Sequence, residues 1–361
     1  MTEMRNRTRA VRVGGVWMGA DAPISVQSMT NTYTGDVEAT VAQVQQLAEA
    51  GCEIVRMAVN DAAAAEAVRE IRARTQVPLV ADIHFDYRLA ITAIENGIDK
   101  IRFNPGNIGS EANVRALVDC AKAHHVPIRV GVNAGSLDKA LLARYGAPTP
   151  AALAESALSH VRILERAGFS DIVISAKISS VPETVETYHL LSKACDYPLH
   201  VGVTEAGGGE LAVIKSAAGI GALLLAGIGD TLRVSLTGDP LREVAAGIAI
   251  LRALGLRKEG VEVISCPTCG RCKNLAAHAA LAERVEREFR NETAYLKVAV
   301  MGCAVNGPGE AREADIGIAF GRTNAVVFKR GEQAFAGELP GVAERFLAEV
   351  RDMLEERKKE Q

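Results

Sequence analysis

Between Ile24 and Leu254 the chain alternates eight times between a short apolar run and a longer amphipathic one, and this constrains its fold more than any other feature. The apolar runs are Ile24–Ser28, Ile54–Val59, Leu79–Ile83, Ile101–Asn104, Ile128–Asn133, Ile172–Lys177, Leu199–Thr204 and Thr231–Leu236. Helical patterns follow them, among them Val37–Ala50, Ala62–Arg74, Glu111–His124, Pro150–Ala167 and Glu210–Leu225. Continuous rather than alternating hydrophobicity in the short runs predicts parallel strands covered on both faces. Eight such units predict a (β/α)8 barrel, with an open doubly wound sheet as the alternative. The last helix, Pro240–Leu254, has Asp239 placed as its N-cap, Pro240 at its first position and Gly255 at its C-terminal end. A short hairpin within Val11–Ile24 precedes the barrel. Aromatic residues make up only 4% of the chain, so the core must be built from Val, Ile, Leu and Ala.

Beyond a short linker, Gly255–Gly260, the alternation stops. Strands are predicted at Val261–Ser265, Leu296–Met301, Ile316–Phe320 and Ala325–Phe328, and helices at Asn274–Arg290 and Pro340–Lys358. The expected organisation is a barrel over residues 1–254 and a small α+β domain over 261–361.

In a barrel, chemistry gathers where the strands end. Those positions carry Asn31, Arg56, Asp82, His84, Arg102, Asn104, Arg129, Asn133, Lys177, Glu205, Arg233 and Ser235. Five of them, Arg56, Arg102, Arg129, Lys177 and Arg233, are cations in or beside apolar strands, set against two anions, Asp82 and Glu205. An unpaired buried charge is costly, so the surplus predicts either a polyanionic ligand such as a phosphate ester or ion pairs near the barrel mouth.

The cysteines lie in the second domain's loops. Cys266-Pro-Thr-Cys269 is a C-x-x-C turn in which Pro267 and Gly270 supply the bend, and Met301 to Glu310 adds Cys303 and a carboxylate, Glu310. Three thiolates and one replaceable oxygen suit an iron–sulfur cluster with one available iron. The cysteines alone also admit a structural zinc site completed by Cys272, or a redox dithiol.

A net charge of −3 gives no general attraction to nucleic acid or to an anionic membrane. No apolar run approaches a membrane span, Met1–Arg12 lacks a secretion signal's apolar region, and three of the seven cysteines fall within seven residues. These features predict a cytoplasmic protein in a reducing compartment.

Ser25-Val-Gln-Ser-Met-Thr-Asn-Thr32, Ile101-Arg-Phe-Asn-Pro-Gly106, Cys266-Pro-Thr-Cys269 and Gly302-Cys-Ala-Val-Asn-Gly-Pro-Gly-Glu310 resemble the 4-hydroxy-3-methylbut-2-enyl diphosphate synthase family, over nearly the whole chain. The resemblance implies a [4Fe-4S] cluster on Cys266, Cys269, Cys303 and Glu310, with Asn306 beside it. It implies diphosphate binding by Arg56, Arg102, Lys177, Arg233 and Ser235, and Glu205 as a candidate proton donor. The implied reaction is reductive ring opening and dehydration of 2-C-methyl-D-erythritol 2,4-cyclodiphosphate in isoprenoid biosynthesis, with flavodoxin or ferredoxin as electron donor. Cys272 lies outside the family's ligand set. The other reading of the residues is a sugar-phosphate aldolase or isomerase with Lys177 as nucleophile and a structural zinc domain. A third is a non-enzymatic iron–sulfur carrier.

Direction adds one expectation. Barrel helices run opposite to the strands, so Pro240–Leu254 ends at the face away from the mouth. From Gly255 to Ser265 the chain spans at most about 35 Å when extended, whereas the barrel is roughly 25–30 Å tall and ringed by helices. A homodimer whose active sites are shared between chains is therefore expected, and the family resemblance implies the same.

Overall fold

The computed structural model describes residues 5–105, 110–303 and 305–360. Gly106 and Ala304, within two of the motifs above, and the first four residues lie outside them. The chain divides into two compact units, Met1–Leu256 and Arg257–Gln361.

In the first unit a hairpin, β1 (Val11–Val13) and β2 (Val16–Met18), precedes eight strand–helix repeats. These are β3 (Ser25–Met29) with α1 (Val37–Glu49), β4 (Ile54–Ala58) with α2 (Ala62–Ala73), β5 (Leu79–Asp82) with α3 (Tyr87–Glu95), and β6 (Lys100–Phe103) with α4 (Glu111–Ala123). Then come β7 (Ile128–Asn133) with α5 (Lys139–Tyr145) and α6 (Pro150–Arg166), β8 (Ile172–Lys177) with α7 (Val181–Ala194), β9 (His200–Val201) with α8 (Glu210–Leu225), and β10 (Thr231–Leu232) with α9 (Pro240–Ala253). All eight repeat strands are parallel, in the order β8-β7-β6-β5-β4-β3-β10-β9, and a parallel bridge from Ile174 to Leu199 joins the two ends. This is the barrel, not the open sheet.

Local chemistry sets the helix starts. Asp36, Asp61, Asp86, Ser110, Thr149 and Asp239 each accept a backbone N–H of the first turn, satisfying donors a helix cannot bond internally. Gly255 follows α9 at φ +65°, the left-handed conformation that ends a helix and that Gly adopts without a Cβ clash.

The strands read as continuously apolar, yet their two faces differ. Val55, Met57, Leu79, Ala81, Ile101, Phe103, Val130 and Ile174 pack outward against the helices in one large core. The alternate positions face inward. Near the starts of β4, β5 and β8 these are apolar: Ile54, Val80 and Val173 pack with Val11, Val13 and Met18 of the hairpin, which floors the barrel. Above that floor the inward positions are polar, and several carry charge.

The second unit contains β11 (Val261–Ser265), α10 (Leu275–Glu288), β12 (Leu296–Met301), α11 (Gly307–Glu313), β13 (Ile316–Phe320), β14 (Asn324–Lys329), β15 (Glu332–Glu338) and α12 (Gly341–Glu360). Its sheet runs in strand order, parallel from β11 to β13 and antiparallel from β13 to β15. Residues of α10 and α12, including Leu281, Val285, Phe346 and Val350, share its main core, while Ala311 of α11 packs in a separate cluster with Met301 and Phe328. The helix α11 and the strand β15 were not expected. Asn306-Gly-Pro-Gly309 reads as a turn, but Pro308 occupies the second helical position, where its missing N–H costs nothing. No helix among the described residues is long and apolar enough to cross a membrane.

Candidate active site

The inward register brings Arg56, Asp82, Arg102, Arg129, Lys177 and Arg233 to the upper half of the barrel. Each stands at an alternate position of its strand or just past it: 54–56–58, 80–82, 100–102–104, 129–131–133, 173–175–177 and 231–233–235. Asp82 bridges two of the cations, accepting from Arg56 Nη2 at 2.9 Å and from Arg102 Nη1 at 3.1 Å. Burial alone would raise the Asp82 carboxyl, but Arg56, then Arg102, His84 and Arg129, overcome it and hold it at about 2. His84 Nε2 lies 3.2 Å from Arg102 Nη1, and since a guanidinium only donates, this nitrogen accepts.

Arg233 is paired by a residue that sequence reasoning missed. Glu243, on α9, accepts from Arg233 Nε and Nη2 at 3.1 Å, from the backbone N–H of Leu236 at 3.0 Å and from Ser28 Oγ at 2.9 Å. The signal available was its place one turn beyond the Asp239 cap, facing the strand. Arg129 Nη1 donates to Ser175 Oγ at 2.8 Å, while its Nε and Nη2 have no acceptor among the described residues. Among those residues no carboxylate pairs with Lys177 either. Burial first, then the neighbouring guanidiniums, pushes the Lys177 ammonium and the Arg129 guanidinium well below their ordinary ranges. Arg56 falls to about 10 for the same reasons, with Asp82 opposing.

Two glycines make this crowding possible. A Cβ on Gly131 would stand 2.4 Å from Arg102 Nε, and one on Gly202 would stand 2.3 Å from the Arg233 carbonyl oxygen and 2.8 Å from Lys177 Nζ. Below lie two more buried groups that the sequence reading passed over, Lys100 and His200. Lys100 Nζ sits 3.9 Å from Met18 Sδ at the floor. Both occupy the same inward register as Arg102 and Thr204, two and four residues earlier, which is the signal that could have found them.

The other candidates lie around the rim. Asn104 is buried, with no partner for Oδ1 among the described residues. Asn133 and Ser235 are half-buried at the ends of their runs. Asn31 is tied to α1, its N–H donating to Gln43 Oε1 at 2.9 Å and its Oδ1 accepting from Gln43 Nε2 at 2.6 Å. Glu205 is exposed at φ +53°, a left-handed conformation uncommon outside glycine. It therefore does not offset the buried cations; Asp82 and Glu243 do.

In the second unit, β11 and β12 end side by side and present their loops together. Cys266, Cys269, Cys303, Asn306 and Glu310 line a hollow of about 390 Å3. The backbone N–H of Gly302 donates to Cys266 Sγ at 3.2 Å, and Arg271 Nε donates to Cys269 Sγ at 3.2 Å. The Arg271 contact draws the Cys269 thiol below its ordinary value, and the N–H groups of Asn306 and Val305 do so for Cys303. The bend of the first turn is not made as expected: Thr268, at φ +51°, takes the left-handed conformation, and Gly270 does not. Glu310 stands in the first turn of α11. His278 of α10, missed in the sequence, is buried beneath, with Nε2 donating to the Val300 carbonyl at 2.9 Å and lying 3.7 Å from Cys266 Sγ. Cys272 is near as well: a Cβ on Gly302 would meet its sulfur at 2.8 Å and that of Cys266 at 3.2 Å.

Residues 8–248 match the family model of the GcpE TIM-barrel domain, and residues 262–352 match that of the GcpE protein C-terminal domain. The chain is 58% identical to a 4-hydroxy-3-methylbut-2-en-1-yl diphosphate synthase (flavodoxin) of Caldanaerobacter subterraneus subsp. tengcongensis, over 99% of this chain and 100% of that one. It is 59% identical to the enzyme of that name from Nitratidesulfovibrio vulgaris, over 92% of this chain and 86% of the other. The Geobacter sulfurreducens enzyme is 55% identical, over 98% and 100%. A barrel crowded with cations and a three-cysteine hollow thus occur in a chain that belongs to the GcpE family, that of the 4-hydroxy-3-methylbut-2-en-1-yl diphosphate synthases.

Proposed function

We propose that this chain converts 2-C-methyl-D-erythritol 2,4-cyclodiphosphate to 4-hydroxy-3-methylbut-2-enyl diphosphate in isoprenoid biosynthesis, two electrons opening the ring and expelling water. Flavodoxin is the electron donor that fits the names of its relatives, with ferredoxin as the other candidate. The observation that carries the reading is the excess of buried cation in the barrel. Two carboxylates, Asp82 and Glu243, serve five cations, and Arg129 and Lys177 are left without a carboxylate among the described residues. A diphosphate supplies the missing charge.

In this reading the barrel, residues 1–254, binds substrate. Arg56, Arg102, Lys177, Arg233 and Ser235 hold the diphosphate, and Asn31, Asp82, His84, Asn104, Arg129 and Asn133 complete the surroundings. Binding the remote diphosphate fixes the position of the reacting carbon. Glu205 delivers a proton from its exposed rim position.

The second domain, residues 261–361, fits a [4Fe-4S] cluster. Its donor set is three sulfurs, two of them drawn toward thiolate by their surroundings, and a carboxylate at the edge of one hollow. Cys266, Cys269, Cys303 and Glu310 would hold the cluster, with Asn306 beside it. When bound it supplies low-potential electrons and a Lewis acid for the departing oxygen. Two copies of the chain, working in the cytoplasm, complete each other's sites. Family membership leaves the sugar-phosphate aldolase reading without support.

Anaerobic purification with iron and sulfide analysis tests the cofactor, and substrate-dependent oxidation of the reduced protein tests the reaction. Zinc in place of iron, or reduced protein that substrate leaves unoxidised, overturns the reading.

A further inference from the structure

We propose that Cys266 and Cys272 form an oxidation site, two thiols that close to a disulfide when the chain carries no cluster, with a small-molecule disulfide of the glutathione class as oxidant. This rests on the iron–sulfur reading above and adds a residue outside the cluster's ligand set. The starting observation is the space beside Gly302. A Cβ there would stand 2.8 Å from Cys272 Sγ, 3.2 Å from Cys266 Sγ and 3.3 Å from Cys272 Cβ. Both sulfurs thus lie within 3.2 Å of one point and less than twice that distance from each other. The φ of Gly302 is outside the left-handed region, so no backbone demand calls for glycine here; sulfur fills the room a side chain would take.

Two local contacts hold the pair together. The backbone N–H of Gly302 donates to Cys266 Sγ at 3.2 Å and keeps that sulfur against the glycine. The backbone N–H of Cys272 donates to the Cys269 carbonyl at 2.9 Å, closing a turn that brings Cys272 back toward the start of its loop. A disulfide needs its sulfurs about 2.05 Å apart and its β-carbons roughly 3.5–4.5 Å apart. A change of χ1 rotamer at Cys272, half-buried in its loop, brings that geometry within reach.

Cys266, Cys269 and Cys303 line the hollow, and Cys272 does not. Cys272 therefore approaches Cys266 from outside the space of the cluster. A bound cluster occupies Cys266, and its loss frees that sulfur. The Cys266 thiolate then attacks one sulfur of the oxidant, whose S–S bond breaks and releases one small thiolate. Cys272 gives up its proton, attacks Cys266 Sγ and expels the second small thiolate. The protein loses two protons and two electrons, and the oxidant becomes two thiols. One of the three cluster sulfurs is then out of use, so the chain cannot be reloaded until a dithiol reduces it.

Peptide mapping of the full chain tests this. Iron and sulfide are assayed first, a chelator removes the cluster without air, oxidised glutathione is added, and the remaining thiols are alkylated. Trypsin cuts after Lys258, Arg271 and Lys273, so the link should appear as Cys272-Lys273 joined to the 259–271 peptide, with fragmentation placing it on Cys266. Cys272→Ser should stop at glutathione on Cys266, its internal disulfide falling roughly 10-fold or more, because the second attack has no sulfur. Mapping the unmodified chain decides even if that variant folds poorly. A Cys266–Cys269 link in the unmodified chain, glutathione left on Cys266 beside an alkylated Cys272, or a link formed equally fast in the loaded protein overturns the pair. Zinc in place of iron, with the 266–272 link formed, overturns the cluster reading alone, and iron and sulfide without the link overturn the pair alone.

Discussion

Arg56 and Arg233 occupy similar positions at the barrel mouth, but their removal has different consequences. Without Arg56, Asp82 keeps Arg102. Without Arg233, Glu243, only 3% exposed, loses its cation. Arg56→Ala should therefore lower kcat/KM by roughly 10- to 100-fold, the worth of about 1.5–3 kcal/mol for a charged contact, at nearly unchanged melting temperature. Arg233→Ala should lower both, and calorimetry beside steady-state kinetics separates the two effects. Asp82 gives a pH prediction. Its folded value, about 2, lies below the ordinary carboxylate value, so its contribution is complete above roughly pH 4 and fades as pH falls toward 2. Asp82→Asn should cost about 3 kcal/mol at neutral pH, and the gap in urea-unfolding free energy should narrow with acidification; a gap independent of pH would refute the pairing. At the hollow, Cys266→Ser, Cys269→Ser and Cys303→Ser should each lose iron and sulfide. Cys272→Ser should keep them, and Glu310→Ala should weaken the cluster because three sulfurs remain. Iron loss in Cys272→Ser but not in Cys303→Ser would reassign the ligands.

At the scale of elements, the strand–helix repeats were legible because each apolar run is bounded by caps and turns whose chemistry is local. What escaped is what tertiary packing decides. The strands look uniformly apolar from Val, Ile and Ala, and the period-two register that turns Lys100, Arg102, Arg129 and His200 inward emerges only once the sheet closes. The segment Glu332–Glu338 carries too little hydrophobicity to read as a strand, and it forms one by pairing at the edge of a sheet with β14. Thr268 takes the strained backbone that Gly270 was expected to supply, because the loop's geometry, not its composition, chooses the residue. That Cys266, Cys269, Cys303 and Glu310 share one hollow was legible; the Glu243 counter-ion was not, because only the packing of α9 against the barrel turns that carboxylate toward Arg233, ten residues earlier. The floor hairpin has its own test. Met18 is fully buried between Lys100 and the lowest inward layer, so Met18→Ala should cost roughly 2–5 kcal/mol. A loss below 1 kcal/mol in chemical denaturation would mean that the hairpin only rests on the barrel.

For the whole molecule, the decisive experiment mixes two impaired proteins, assayed at substrate low enough that Arg56→Ala alone shows only its small residual rate. Arg56→Ala removes a mouth and Cys303→Ser removes a cluster, and chains exchanged at random form mixed pairs about half the time. Each mixed pair has one intact site if sites are built in trans, so activity should recover to about a quarter of wild type. A mixture no more active than the two variants assayed apart, with mixed pairs demonstrated by mass, places the whole site within one chain. The floor built from Val11, Val13 and Met18 bears on traffic through such a site. It makes the barrel a cup and not a pipe. Whatever enters past Arg56 and Lys177 must depart by the same opening, so a departing product and an arriving substrate compete for one doorway.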